Sequence, residues 1–166
     1  MPKALHTAFL VTAALLSIAS AVSAQVYEFR PGEARAVDGD TLRIGSQRIR
    51  LSAMDAPELS QTCRSERGTT TLCGRDARDA LARLIRNGVR CVVETKDRYG
   101  REVAQCTTAN GVDIGGEMIR QGWAVPYWKY DGARYSKLFD EALSADAGMH
   151  AGVFIEPERW RKGERW

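Results

Sequence analysis

Two short acidic segments carry the residues best suited to chemistry in this sequence. Val37-Asp38-Gly39-Asp40-Thr41 sets two carboxylates around a glycine, in a turn between strand-like stretches. Arg50-Leu51-Ser52-Ala53-Met54-Asp55-Ala56-Pro57-Glu58 puts one guanidinium and two carboxylates at the end of the next strand. If Asp40 and Asp55 meet, two bare carboxylates repel, so one takes a proton or both share a cation. A turn that holds a carboxylate rigidly suits a hard divalent ion. Arg50 beside them is a bidentate donor for an anion, so a cation and a phosphate can share one site. Glu58 lies three residues beyond Asp55, past the rigid Pro57, where its side chain can hold or deprotonate a water. Taken singly, each segment also reads as an ordinary acidic turn or a surface ion-pair cluster, which contributes little.

A third segment, Lys96-Asp97-Arg98-Tyr99-Gly100-Arg101, is dense in donors and carries one ring. That mixture fits nucleic acid, with charge for phosphates and a ring for a base or sugar, or else a soluble hairpin tip. Trp123, Tyr127, Trp128 and Tyr130 form an aromatic stretch that flanks a groove or packs in the core. His6 falls in an apolar leader and His150 stands alone beside Met149, so no histidine acid–base pair is available. No Ser-His-Asp set, phosphate-cradling glycine loop or Walker motif occurs.

The elements that must position these groups can be read from periodicity. Residues 33–37, 41–44 and 47–51 alternate as strands, with 26–30 as an edge strand or a loosely held arm. Residues 58–74 form a long polar loop, and long loops are often functional. Ala77, Ala80, Leu81, Leu84 and Ile85 recur at helical spacing over 75–87, and Gly88 follows as a stop. Residues 89–95 and 101–107 make a hairpin. A second helix covers 112–121, with Asp113 as a cap. A third covers 135–147, using Leu138, Phe139, Ala142 and Leu143. Several short strands, a helix, a hairpin and two helices suit a small closed, curved sheet of the five-stranded oligonucleotide-binding type.

The chain of 166 residues is 44% hydrophobic and 27% charged, which excludes wholesale disorder. Its formal charge of +3 permits a polyanionic partner without demanding one. Nineteen of the 24 basic residues are arginine, the side chain suited to phosphate, although a composition bias gives the same count. Residues 1–24 read as a signal peptide: an apolar run ending in Val22-Ser23-Ala24, too short to span a membrane comfortably. Residues 25–166 then form one exported domain, periplasmic or extracellular. Its four cysteines allow three disulfide pairings. A hairpin symmetric about Arg98/Tyr99 sets Cys91 opposite Cys106, unless a glycine bulge slips the register by one. Cys63 and Cys73 are left to close the polar loop. Zinc is disfavoured because no Cys-x₂-Cys pair occurs.

Together these segments resemble the staphylococcal nuclease family. The matching pieces are Val37-Asp38-Gly39-Asp40-Thr41, Arg50-Leu51 with Asp55-Ala56-Pro57-Glu58, Asp97-Arg98-Tyr99-Gly100-Arg101, Gly111-Val112-Asp113 and Ile119-Arg120-Gln121-Gly122-Trp123-Ala124, in order over about residues 33–155. The resemblance implies an α+β fold, a five-stranded oligonucleotide-binding-type β-barrel with three α-helices. It implies calcium-dependent hydrolysis of DNA and RNA with little sequence preference, leaving 3′-phosphate ends, by a monomer that is not an integral membrane protein. By the same resemblance Asp40, Asp55 and the backbone carbonyl of Ala56 look like the calcium ligands. Glu58 looks like the general base or water-orienting group, and Arg50 and Arg101 like the phosphate clamps. Arg98, Tyr99, Tyr127 and Tyr130 look like nucleotide contacts. The loop between Cys63 and Cys73 looks like that of the secreted, disulfide-containing bacterial branch and adjoins Glu58. Relatives that lose the carboxylates or arginines act as silent binding modules on the same barrel, whereas here Asp40, Asp55, Glu58, Arg50 and Arg101 are all present.

Overall fold

Alternation becomes strand wherever one face can be covered, and the computed structural model, which describes residues 25–166, shows which faces are. The expected leader lies outside the described residues. In chain order the elements are β1 (Val26–Phe29), β2 (Ala34–Ala36), β3 (Thr41–Ile44), β4 (Gln47–Leu51) and β5 (Met54–Asp55), then β6 (Cys63–Ser65), β7 (Thr70–Thr71) and α1 (Cys73–Leu84). They continue with β8 (Val89–Lys96), β9 (Glu102–Thr108), α2 (Ile114–Arg120), β10 (Val125–Pro126), α3 (Ser136–Ser144), β11 (Gly152–Val153) and α4 (Pro157–Arg161).

The main sheet has the order β1-β8-β9-β4-β3-β2, antiparallel except where β4 runs parallel to β9. It is a curled mixed sheet of the oligonucleotide-binding type in an α+β domain. The segment at 26–30 is an edge strand against β8, so this sheet has six strands rather than five. Leu42, Ile49 and Leu51 from β3 and β4, and Ala104 and Cys106 from β9, point to one face and are buried. Ala77, Ala80 and Leu81 of α1 and Ile114, Met118 and Ile119 of α2 cover that face. Burying each large aliphatic contributes roughly 1.5–3 kcal/mol. Asp113 caps α2, its carboxylate accepting from the Gly116 amide at 3.1 Å.

Several boundaries differ from the sequence reading. The first helix starts at Cys73 and ends at Leu84, before Gly88. The third runs only from Ser136 to Ser144, behind a 3₁₀ turn at Gly132–Tyr135. Leu143, expected inward, is 45% exposed. The loop at 58–74 is not wholly irregular: β6 and β7 pair within it, and β11 joins them as β11-β6-β7. The C-terminal tail also ends in a fourth, short helix, α4.

Both disulfides are present, with Cα atoms 5.7 Å apart for Cys63–Cys73 and 4.1 Å for Cys91–Cys106. Cys91 faces Cys106 through two compensating slips. The turn is a three-residue one, with the Asp97 amide donating to the Arg101 carbonyl and Gly100 at φ +78°. That shifts Lys96 onto Glu102, and a bulge between Val93 and Thr95 shifts the register back.

Behind α3, the His150 ring sits between Phe139 (5.4 Å) and Phe154 (5.3 Å). Its Nε2 is buried without a partner, and burial holds its pKa below the usual value. Below pH about 6.5 the unfolded chain takes a proton that the folded one resists, so stability falls as pH falls through that range. His150→Phe is expected to raise stability by about 1 kcal/mol at pH 7 and to flatten the loss between pH 7 and 5, read by urea unfolding at both pH values.

Candidate active site

Three small residues let the two acidic segments close on each other. A Cβ on Gly39 would lie 2.6 Å from the Ala56 Cβ and 2.8 Å from the Ala77 Cβ, so the Asp38-Gly39-Asp40 turn rests directly on Ala56 and on α1. The turn is tied down by its own backbone: the Leu51 amide donates to the Asp40 carbonyl at 2.8 Å and the Val37 amide to the Thr41 carbonyl at 2.9 Å. After β4 the chain reverses through Ala53, at φ +62°, and returns Asp55 toward Arg50. A non-glycine residue in that region is strained. It is held by β5–β10 pairing, Asp55 opposite Val125, and by the Tyr127 amide donating to the Ala53 carbonyl.

Asp40 and Asp55 do meet, through Arg50. The Arg50 Nη1 lies 2.6 Å from Asp40 Oδ2, and its Nη2 lies 2.8 Å from Asp55 Oδ1. All three side chains are largely buried, with 14%, 7% and 4% of Arg50, Asp40 and Asp55 exposed. Burial works against the Arg50 charge, but Asp40 and Asp55 outweigh it and hold its pKa above the usual value. Burial pushes the Asp55 carboxyl up against the pull of its arginine partners. Asp38, whose Oδ1 accepts from the Asp40 amide, is pushed up to about 6 by burial and by the Asp40 charge. The Thr41 hydroxyl donates to Asp40 Oδ1 at 2.8 Å.

The sequence reading missed two residues here. Arg161 of α4 donates Nη2 to Asp55 Oδ2 at 2.6 Å, and Nη1 to Asp55 Oδ1 at 3.0 Å and Glu58 Oε1 at 2.9 Å. Glu58 thus joins the cluster through Arg161. Gln61, fully buried, accepts from the Glu58 amide at 3.2 Å and donates Nε2 to the Ile155 carbonyl at 2.6 Å. It fastens the Glu58 segment to the C-terminal arm. No motif marks either residue; the sequence offers only a glutamine in a polar loop and an arginine-rich tail.

The remaining predicted residues fall into two groups. Tyr127 adjoins the cluster, with the Arg50 guanidinium 5.9 Å from its ring centre, and Tyr130 packs edge-on to Tyr127 at 4.8 Å. Arg98, Tyr99 and Arg101 stand together at the β8–β9 turn. Arg101 donates Nε to Asp97 at 2.7 Å, and both guanidiniums lie over the exposed Tyr99 ring. No ion pair joins that turn to Asp40, Asp55 or Glu58.

Register adds a feature that linear spacing hides. Arg35 faces Arg43, and Arg43 faces Arg48. Continuing the β4–β9 register one step puts Arg48 beside Arg101. The row lies on the outer face, two residues along β4 from Arg50, or about 6.6 Å. Among the described residues Arg35, Arg43 and Arg48 have no carboxylate partner, and like charges facing each other across strands destabilise a sheet.

Among the described residues no three acidic, histidine or cysteine side chains already form a metal cage. The oxygens gathered there, the Asp40 and Asp55 carboxylates and the Thr41 hydroxyl, are all hard. They fit a calcium-type ion, and such an ion would replace guanidinium as the counter-charge of two buried carboxylates.

A curled sheet of this type, with paired carboxylates and arginines at its rim, defines an oligonucleotide-binding-type domain. The family described as staphylococcal nuclease homologue matches residues 48–149. The chain belongs to the staphylococcal nuclease family. It is 36% identical over 120 residues to the succinoglycan biosynthesis protein ExoI of Rhizobium meliloti, covering 71% of this chain and 63% of that protein. It is 31% identical over 134 residues to endonuclease YhcR of Bacillus subtilis, covering 74% of this chain but 11% of that one. An uncharacterized endonuclease of Haemophilus influenzae is 31% identical over 137 residues, covering 77% and 70%. The chain thus spans less than two thirds of the first two relatives.

The approach of α1 to the Glu58 segment generates a test. A Cβ on Gly74 would fall 1.8 Å from the Glu58 carbonyl oxygen. Gly74→Ala is expected to cost about 1–3 kcal/mol in a urea titration, whereas Arg75→Ala, exposed one residue on, changes stability by less than about 0.5 kcal/mol.

Proposed function

We propose that this protein is an exported, monomeric, calcium-dependent nuclease that hydrolyses DNA and RNA with low sequence specificity and leaves 3′-phosphate ends. The observation that carries the reading is the convergence of Asp40 from one segment with Arg50, Asp55 and Glu58 from another into one cluster of ion pairs, Glu58 joining through Arg161. Family membership and relatives named endonuclease support it. Two disulfides fit an oxidising compartment, which supports export behind a signal peptide at residues 1–24. No helix among the described residues is long and apolar enough to cross a membrane.

Phosphodiester cleavage builds negative charge on the phosphoryl oxygens. Asp40, Asp55 and the Ala56 carbonyl would hold calcium, which would supply positive charge to those oxygens. Arg50, held between its carboxylates, offers its guanidinium to the phosphate. Arg101 clamps from the β8–β9 turn. Glu58, more exposed than Asp55, orients the attacking water and takes its proton. Tyr99, Arg98, Tyr127 and Tyr130 contact sugar and base, and stacking on rings tolerates every sequence. The row Arg35, Arg43, Arg48 carries the strand beyond the scissile phosphate, which relieves its mutual repulsion.

Oxidised protein is expected to cut single-stranded DNA in calcium and not in EDTA, with Glu58→Ala at least about 100-fold slower. A folded, calcium-binding protein that cuts nothing in calcium or magnesium would instead be a nucleic-acid-binding module. In the Glu58→Ala background, replacing Arg35, Arg43 and Arg48 together by alanine is expected to lower the slope of log affinity against log salt by about 2 for single strands. An unchanged slope removes that row from the substrate path.

A further inference from the structure

Arg161 lies beyond the residues matched by the family, 48–149, on an arm that the chain fastens with care. β11 pairs with β6, Gly152 opposite Ser65 and Val153 opposite Arg64. β6 begins at Cys63, whose disulfide to Cys73 closes the loop onto α1. Gln61 holds the Ile155 carbonyl, and Ile155, Pro157 and Trp160 are buried. At the far end the Arg64 guanidinium lies 4.8 Å from the Trp166 ring centre. The disulfide loop and the arm therefore form one small sheet, and α4 projects from it toward the acidic cluster.

The guanidinium it delivers covers the outer edge of the site. A carboxylate offers about four lone-pair positions. On Asp55, Oδ1 already accepts from Arg50 Nη2 and Arg161 Nη1, and Oδ2 accepts from Arg161 Nη2. Arg50 is the inner partner, 14% exposed, and Arg161 the outer one, 34% exposed. A cation arriving from solvent to bind Asp55 therefore meets Arg161 before Arg50 and competes with it for Oδ2. Once displaced, the Arg161 side chain cannot go far, because Trp160 and Pro157 hold the α4 backbone. Beside a newly bound divalent ion a guanidinium is repelled unless an anion lies between them. Phosphate oxygens are that anion, and the guanidinium fork matches them.

Resting on the nuclease reading above, we infer that Arg161 is a third phosphate-binding arginine, supplied by the C-terminal arm. Without metal it stands in for the cation on Asp55 and Glu58; with metal and substrate it moves to the phosphate. It is a catalytic residue in the sense that it touches the substrate. The disulfide loop beside Glu58 serves chiefly to dock the arm that carries it.

The test uses the full oxidised protein with Arg161→Gln and Arg161→Lys. Calcium affinity is read by calorimetric titration and by the calcium-dependent rise in Tm, and kcat on single-stranded DNA is read at saturating calcium. Arg161→Gln is expected to bind calcium about 10-fold tighter, because its competitor is gone, and to lose about 10- to 100-fold in kcat. Arg161→Lys is expected to keep near wild-type calcium affinity and recover kcat only partly, since it restores the charge but not the fork. Unchanged calcium affinity in Arg161→Gln overturns the competition for Asp55. Tighter calcium binding with equal or higher kcat overturns the phosphate role and leaves a latch. A wild-type protein that binds calcium but cuts nothing overturns the nuclease reading and the phosphate role with it, while the calcium titration still decides the competition.

Discussion

Two buried carboxylates cannot stay ionised side by side without a positive partner, and that constraint organises this molecule. Asp40 and Asp55 are both buried. Arg50 is the partner common to both. Such a cluster is weak evidence for net stability, since desolvating the charges offsets much of their attraction. Its value lies in geometry: a turn and a strand reversal are held together around one guanidinium. The surroundings serve that placement. Gly39, Ala56 and Ala77 are small so that the acidic segments and α1 can touch, and the strained Ala53 turns the chain back at the right residue.

The second support is the arm. Without it, Glu58 would sit at the rim of the site on a loop held by its own turn, by α1 and by the Cys63–Cys73 disulfide. Gln61 gives that loop buried hydrogen bonds on two sides, and Arg161 gives Glu58 and Asp55 a common partner. The residues of this support come from the disulfide loop and from the last dozen positions of the chain. The matched family segment ends before the arm. The arm therefore separates this chain's site from the minimal site that the motifs describe.

The β8–β9 hairpin shows how a correct contact can arise from a different path. The symmetric turn expected between Arg98 and Tyr99 does place Cys91 opposite Cys106. The actual turn is one residue longer on one side, and the bulge between Val93 and Thr95 removes the offset. The bulge also sets the stretch carrying Arg98, Tyr99 and Arg101 one residue out of the simple register. Within that segment Arg101 pairs with Asp97.

Local chemistry is what the sequence by itself determined. Alternation at 41–44 and 47–51, helical spacing from Ala77 to Ile85, the Asp113 cap and the pairing of Cys91 with Cys106 all follow from interactions between near neighbours or across one turn, and Cys63 and Cys73 are the pair then left over. The acidic segments, and the meeting of Asp40 with Asp55, were legible because β3 and β4 are consecutive and their hairpin is short. Helix ends were less so, since Gly88 and Gly148 mark where a helix must have stopped rather than where packing stops supporting it. Tertiary structure alone decided the rest. Arg35, Arg43 and Arg48 line up only after three strands take their register, and Arg161 reaches Asp55 across 106 positions of chain. Neither arrangement leaves a periodic trace, because long-range ion pairs depend on where separate elements pack, and nothing in the spacing of residues along the chain encodes that.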